Sequence, residues 1–243
     1  MTHSFSLRML GRFELSDGDG QVSVPAGSER VLAALAIGDG PLSRVRLAGM
    51  LWPHATDRRA QASLRSALLR LPARARAAVE TTSSVLALSD GLQVDFKAAR
   101  ELAHRLVDPG GQPDGADLCR AAIATLALDL LPDWYDDWAA AANESWRQLR
   151  MHALETLAKH LTSTERYSDA IEAALAAVAA DPLRESSRAA LIRVHLAEGN
   201  RSEAVREYDR YQHLLGSELG LEPTGALGRL LDLPARSTKT RTT

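Results

Sequence analysis

Two segments of this chain, RYSDAIEAALAAV and NRSEAVREYDRYQ, place Ala170 and Ala204 34 residues apart. Around them Leu157 aligns with Leu191, Ala158 with Ile192, Leu161 with His195 and Asp169 with Glu203. Pro182 follows Ala170 by 12 residues. A 34-residue period with small residues at these places is the pattern of a tetratricopeptide-like helix–turn–helix repeat. Each such unit leaves an apolar face that only a neighbour can bury, so the units must stack. This confines the C-terminal half to an all-α platform suited to binding, with little room for a catalytic cleft.

A chain of 243 residues has room for two modest domains. No apolar run approaches the roughly 20 residues of a membrane span. MTHSFSLRML lacks a charged segment followed by an apolar core, so no signal peptide is read. The single cysteine, Cys119, excludes an internal disulfide framework and fits a reducing cytoplasm. Its neighbours Leu118 and Ile123 suggest a small core residue. His3, His54, His104, His152, His160, His195 and His213 form no HExxH or Cys/His set, so no metal is expected. G-x-S-x-G and G-x-x-x-x-G-K-[ST] are also missing. The expectation is therefore a cytoplasmic protein that is not an enzyme and has no catalytic residues and no cofactor.

The formal net charge of −2 conceals an asymmetry. Residues 1–100 hold 13 Lys and Arg against 9 Asp and Glu, a balance of +4, and the remainder balances at −6. Eight arginines and one acid, Asp57, lie between Arg44 and Arg76. A concentrated positive field on an otherwise acidic chain is the charge footprint of a nucleic-acid site, although a solvated helix face would look the same.

The first hundred residues alternate in character. FSLRMLGRFELS reads as a strand running into the Asp17–Gly20 turn, and QVSVP as a second strand. Ser28 is placed to cap ERVLAALAI, and Ser43 to cap RVRLAGMLW with Val45, Leu47, Met50 and Leu51 as its apolar residues. Thr56 is placed to cap a third helix, DRRAQASLRSALLRL. There Leu64, Ala67, Leu68 and Leu71 follow the i, i+3, i+4, i+7 spacing of a buried stripe, and Pro72 limits the helix. VETTSSVLALSDGLQVDF reads as a hairpin about Asp90-Gly91. Strands, three helices and a hairpin make a winged helix–turn–helix, whose third helix enters the major groove. Its outward face carries Gln61, Ala62, Arg65, Ser66, Leu69 and Arg70, with Arg58 and Arg59 at its start and Arg44 on the preceding helix. Arg pairs bidentately with guanine and Gln with adenine, so these residues can read base edges.

Beyond Phe96 the pattern is helical, at about 97–107, 116–130, 134–163, 166–180, 184–198, 201–216 and 223–232, with a break at DPGGQPDG. Trp134, Tyr135 and Trp138, interleaved with Asp133, Asp136 and Asp137, could form an acidic aromatic contact patch. The stronger reading is that they pin a long helix to its neighbour, with Asp133 as its cap. Tyr208 and Tyr211 read as repeat packing. The expected fold is mainly α with a small β component. A winged helix–turn–helix domain occupies 1–96, an all-α tetratricopeptide-like domain 97–233, and a disordered tail 234–243.

LGRFEL, VPAGSERVLAALAI, LSRVRLAGMLWP and ASLRSALLRL together resemble the OmpR-like DNA-binding domain of the SARP regulators. DLLPDWYDDW, RQLRMHALETLA, DPLRESSRAALIRVHLAEGNRSEAVREYDRY and ELGLEPT resemble the bacterial transcriptional activator domain that follows it in that family. The resemblance spans residues 5–232 and implies a short, stand-alone activator of a secondary-metabolite (antibiotic) gene cluster. It implies binding to double-stranded DNA at promoter direct repeats, recruitment of RNA polymerase, and nucleoid association. It also implies a polymerase-contact loop at Pro53, His54, Ala55, Thr56 and Asp57, and dimeric or cooperative tandem binding. The sequence departs from the family pattern twice: its hairpin has no Arg or Lys, and Pro72 displaces Arg74 and Arg76 into a connector. The competing reading is a tetratricopeptide-like interaction scaffold with a degenerate winged helix.

Overall fold

The computed structural model describes residues 5–108, 110–111 and 113–232. His3, Pro109 and Gln112 of the DPGGQPDG loop, and the expected tail at 234–243 lie outside them. The fold is mainly α with a small β component, as expected. The chain packs as two compact units. The first joins residues up to Glu101 with Leu128–Arg147, and the second joins Leu102–Ala127 with residues from Gln148 on.

The first unit opens with β1 (Phe5–Arg8), β2 (Glu14–Asp17) and β3 (Gly20–Val22). FSLRMLGRFELS was expected as one strand but forms two, because Gly11 takes a positive φ of 77° and the chain reverses. β1 and β2 then pair antiparallel with Leu7 opposite Leu15, both buried. The first helix, α1 (Ala26–Ile37), starts before its expected cap, with Pro25 at the N-cap. Ser28 is instead buried in its first turn and donates its hydroxyl to Ala67 O at 2.6 Å. That bond ties α1 to the third helix.

After β4 (Leu42–Ser43) comes α2 (Arg44–Leu51), capped as expected by the Ser43 side chain, which accepts from Arg46 N. Val45 is 64% exposed and contributes nothing to the core. α3 (Asp57–Leu69) buries Ala60, Leu64 and Ala67, while Leu68 is only partly covered. Thr56 holds the extended N-cap conformation without a side-chain hydrogen bond. Past Pro72 the chain takes a 3₁₀ turn (Arg74–Ala78) into β5 (Val79–Thr81), β6 (Val85–Leu88) and β7 (Leu92–Val94).

The expected hairpin about Asp90-Gly91 does not form. The hairpin is β5–β6, turning at Thr82–Ser84, and β6 also pairs with β4. β7 leaves it and pairs parallel with β1, completing the sheet β3-β2-β1-β7. Leu92 and Val94 are buried there, so this placement covers apolar surface that a second hairpin strand would leave wet.

β7 leads directly into α4 (Asp95–Val107). The Asp95 carboxylate accepts from Met9 N at 2.8 Å and Leu10 N at 3.1 Å. Its pKa is raised, because burial outweighs those bonds. Residues 128–136 run alongside: Leu10 bridges Leu130, Leu131 N donates to Met9 O, and Gly11 N donates to Asp129 O. Trp134 stacks on Phe13 with centroids 5.8 Å apart, and Trp138 meets Trp134 edge-on. Both tryptophans pin the start of α6 (Asp137–Ser163), whereas Tyr135 is 88% exposed. The cap expected at Asp133 falls at Asp136, whose carbonyl accepts from Ala139 N and Ala140 N. Trp146 is buried, lies edge-on to Phe96 and donates from Nε1 to Leu128 O at 2.9 Å.

In the second unit α5 (Arg120–Leu126), α7 (Tyr167–Ala180), α8 (Glu185–Ala197), α9 (Arg201–Leu219) and α10 (Gly225–Arg229) follow the expected order. α5 is shorter than the 116–130 span read from sequence, since Leu128–Leu131 belong to the first unit. Cys119 is its half-buried N-cap, not a core residue. The 34-residue period has a backbone counterpart. Glu165 (φ 59°) and Gly199 (φ 89°) occupy equivalent left-handed positions. Arg166 N then donates to Leu161 O at 2.9 Å and Asn200 N to His195 O at 2.8 Å, the same helix-ending bond in both repeats. Ala170 and Ala204 are fully buried one turn later, where only a small side chain lets helices approach closely. Tyr211 packs in the core shared by α8, α9 and α10 and donates its hydroxyl to Leu183 O at 3.0 Å. Arg105 grips Asp117 through both carboxylate oxygens and holds its pKa below the usual range.

Candidate nucleic-acid interface

α3 is held from below and open from above. Leu64, Ala67 and Ala60 sit in a core with Val31, Leu35, Leu47, Leu51 and Leu86, and Ser28 fixes the backbone at Ala67. Arg58, Arg59, Ala62, Arg65, Ser66, Leu69 and Arg70 all point into solvent. Helical spacing sorts them into two rows. One row is Arg58, Ala62, Arg65 and Leu69; the other is Arg59, Ser66 and Arg70. Gln61 is half-buried at the margin of this face.

The eight arginines divide by partner. Arg74 is turned back, pairing with Asp17 and Asp19 at 2.9 Å, so its charge is neutralised internally. Arg76 donates to Leu71 O and Leu69 O, satisfying the carbonyl end of α3. Arg46, Arg58, Arg59, Arg65 and Arg70 have no ion-pair partner among the described residues, and all five are exposed. Arg46, on α2, extends the set read from sequence; its exposure follows from the short helix, of which only Leu47, Ala48 and Leu51 are buried.

Arg44 supplies what the hairpin lacks. Its backbone N–H donates to Ser84 O at 2.9 Å and its Nε to Thr82 O at 3.2 Å. Thr82 Oγ1 accepts from Ser84 N and Val85 N, which makes the turn a compact side-chain-stabilised one. A guanidinium borrowed from α2 therefore sits against an uncharged wing tip. Between the wing and α3 lies an open apolar groove of about 480 Å³, walled by Leu68, Leu69 and Val79 and rimmed by Arg44, Arg65 and Arg76.

The loop before α3 is rigidly based. Pro53, His54, Thr56 and Asp57 are exposed and Ala55 is half-buried. Behind it Arg30 donates to Leu51 O at 2.6 Å, pairs with Asp136 and lies 5.8 Å over the Trp52 ring. Among the described residues no group of His, Cys, Asp and Glu is placed to hold a metal ion, and no helix is long and apolar enough to cross a membrane.

Residues 93–232 match the model of the bacterial transcriptional activator domain. The chain belongs to that family. It is a SARP-type transcriptional regulator, as its motifs imply. The fold of this regulator is similar to that of Mycobacterium tuberculosis EmbR, solved in complex with a low-affinity phosphopeptide. The TM-score is 0.66 at 20% identity, over 96% of this chain and 67% of that one. EmbR carries the same order of winged helix and all-α domain. No curated protein sequence matches this regulator significantly.

Proposed function

We propose that this regulator is a sequence-specific, DNA-binding transcriptional activator, pathway-specific for a secondary-metabolite gene cluster. The observation that carries this reading is the outward row of unpaired arginines on α3, held rigid by Leu64 and Ser28. Arg65 and Arg70, with Gln61, Ala62 and Ser66, read base edges in the major groove, while Arg58, Arg59 and Arg44 hold phosphates. The protein acts in the cytoplasm on the nucleoid and is not an enzyme. Arg65→Ala will weaken operator binding by about 1–3 kcal/mol and relax preference at one base step. Thermal melts will show its fold unchanged, since Arg65 is exposed. Equal binding of operator and random duplex by wild type and variant alike would favour the scaffold reading.

Activation follows from tandem occupancy. One winged helix reads a short half-site, so two copies bind direct repeats about 10–10.5 base pairs apart on one face of the duplex. The Pro53–Asp57 loop then meets RNA polymerase. His54→Ala combined with Asp57→Ala will leave footprints near normal and lower transcription in vitro. Moving one repeat by half a turn will abolish cooperativity, because the second copy is carried to the opposite face. A loop variant that activates normally would remove polymerase contact from this account.

A further inference from the structure

The exposed apolar side chain at the C-terminal end of α3 is not accounted for by packing. Leu69 is 74% exposed, whereas Leu64 on the same helix is buried and Leu68 is partly buried. It occupies the row Arg58, Ala62, Arg65, Leu69, which alternates a cation with an apolar group. It also lines the 480 Å³ groove together with Leu68, Val79 and the three cationic residues Arg44, Arg65 and Arg76. Arg76 Nη2 donates to Leu69 O at 3.3 Å, which fixes the residue's backbone before any partner arrives. An apolar wall ringed by three cations is complementary to a polyanion that presents a methyl group. Duplex DNA presents such a group in the major groove, at C5 of thymine.

We propose that Leu69 is a specificity-determining residue that reads the C5-methyl group of a thymine in the operator. This rests on the reading of α3 as the recognition helix. Four residues of helix separate Leu69 from Arg65, about 6 Å along the axis. A recognition helix lies obliquely in the groove, and residues one turn apart on its exposed face reach neighbouring base pairs. The operator therefore carries a thymine within two steps of the base pair that Arg65 contacts.

The test uses duplexes recovered by the full-length wild-type protein from a random pool. Each thymine is replaced in turn by deoxyuridine, which removes the methyl group and leaves every hydrogen-bonding group in place. Wild-type affinity will fall about 4-fold at one position, the value of one buried methylene-sized group. It will be unchanged at the others. In Leu69→Ala that position will become insensitive to the replacement, and in Leu69→Met it will remain sensitive. The proposal is overturned if no deoxyuridine affects the wild type, or if Leu69→Ala keeps the same sensitivity. It is also overturned if Leu69→Ala binds every duplex as the wild type does but fails to activate, which would assign Leu69 to a protein partner. Failure of the wild type to enrich any duplex would instead remove DNA binding itself, and this inference with it.

Discussion

Raising the salt concentration from about 50 to 200 mM will weaken non-specific DNA binding by about 10²–10³-fold. The arginines of this face are not equally free. Arg74 is neutralised by Asp17 and Asp19, and Arg76 is engaged at the end of α3. Arg44, Arg46, Arg58, Arg59, Arg65 and Arg70 remain on the exposed side of the winged helix. Roughly four to six phosphate contacts, each releasing about 0.9 counterion, give a logarithmic slope of about −4 to −5. Replacing Arg58 or Arg59 by alanine will flatten the slope by about one, whereas Arg74→Ala will leave it unchanged. Fluorescence anisotropy with a labelled random duplex measures both. A slope near zero would make these arginines an ordinary solvated surface.

Trp146→Ala will lower the unfolding free energy by about 3–5 kcal/mol, the cost of truncating a large core aromatic. Trp146 is 2% exposed, meets Phe96 edge-on at 5.6 Å and donates to Leu128 O. Its removal leaves a cavity beside α4 and an unpaired carbonyl on the 128–136 segment. The consequence reaches DNA binding indirectly, since residues 128–147 share the compact unit of the winged helix. Urea titration will show a lower midpoint at an unchanged slope. Tyr135→Ala, by contrast, will shift the midpoint by less than about 0.5 kcal/mol, because its ring is in solvent. Equal effects from Trp146 and Tyr135 would mean that the segment is not part of that core.

The parts of this fold that were legible in the sequence are those governed by local periodicity. The stripe Leu64, Ala67, Leu71 places α3 correctly, Ser43 caps α2, and the 34-residue spacing of Ala170 and Ala204 has its counterpart in matching left-handed turns. What was not legible depends on partners distant in sequence. Ser28 looks like a helix cap until Ala67 O is found 2.6 Å from its hydroxyl. Leu92 and Val94 alternate just as a hairpin strand would, and only the free edge of β1 directs them elsewhere. Arg44 and Arg74 carry the same charge in sequence. One is laid against the wing by Thr82 and Ser84, while the other is withdrawn by Asp17 and Asp19. A charge count cannot separate them, because burial and pairing are properties of the fold.

The most direct measurement is a gel-shift titration of the full chain, at physiological salt, against the promoter duplex of its own gene and a scrambled duplex of equal composition. The promoter complex will be at least about 10³-fold tighter than the scrambled one. The promoter will also shift in two cooperative steps. Equal affinity for the two duplexes, or no shift with either, would contradict sequence-specific DNA binding.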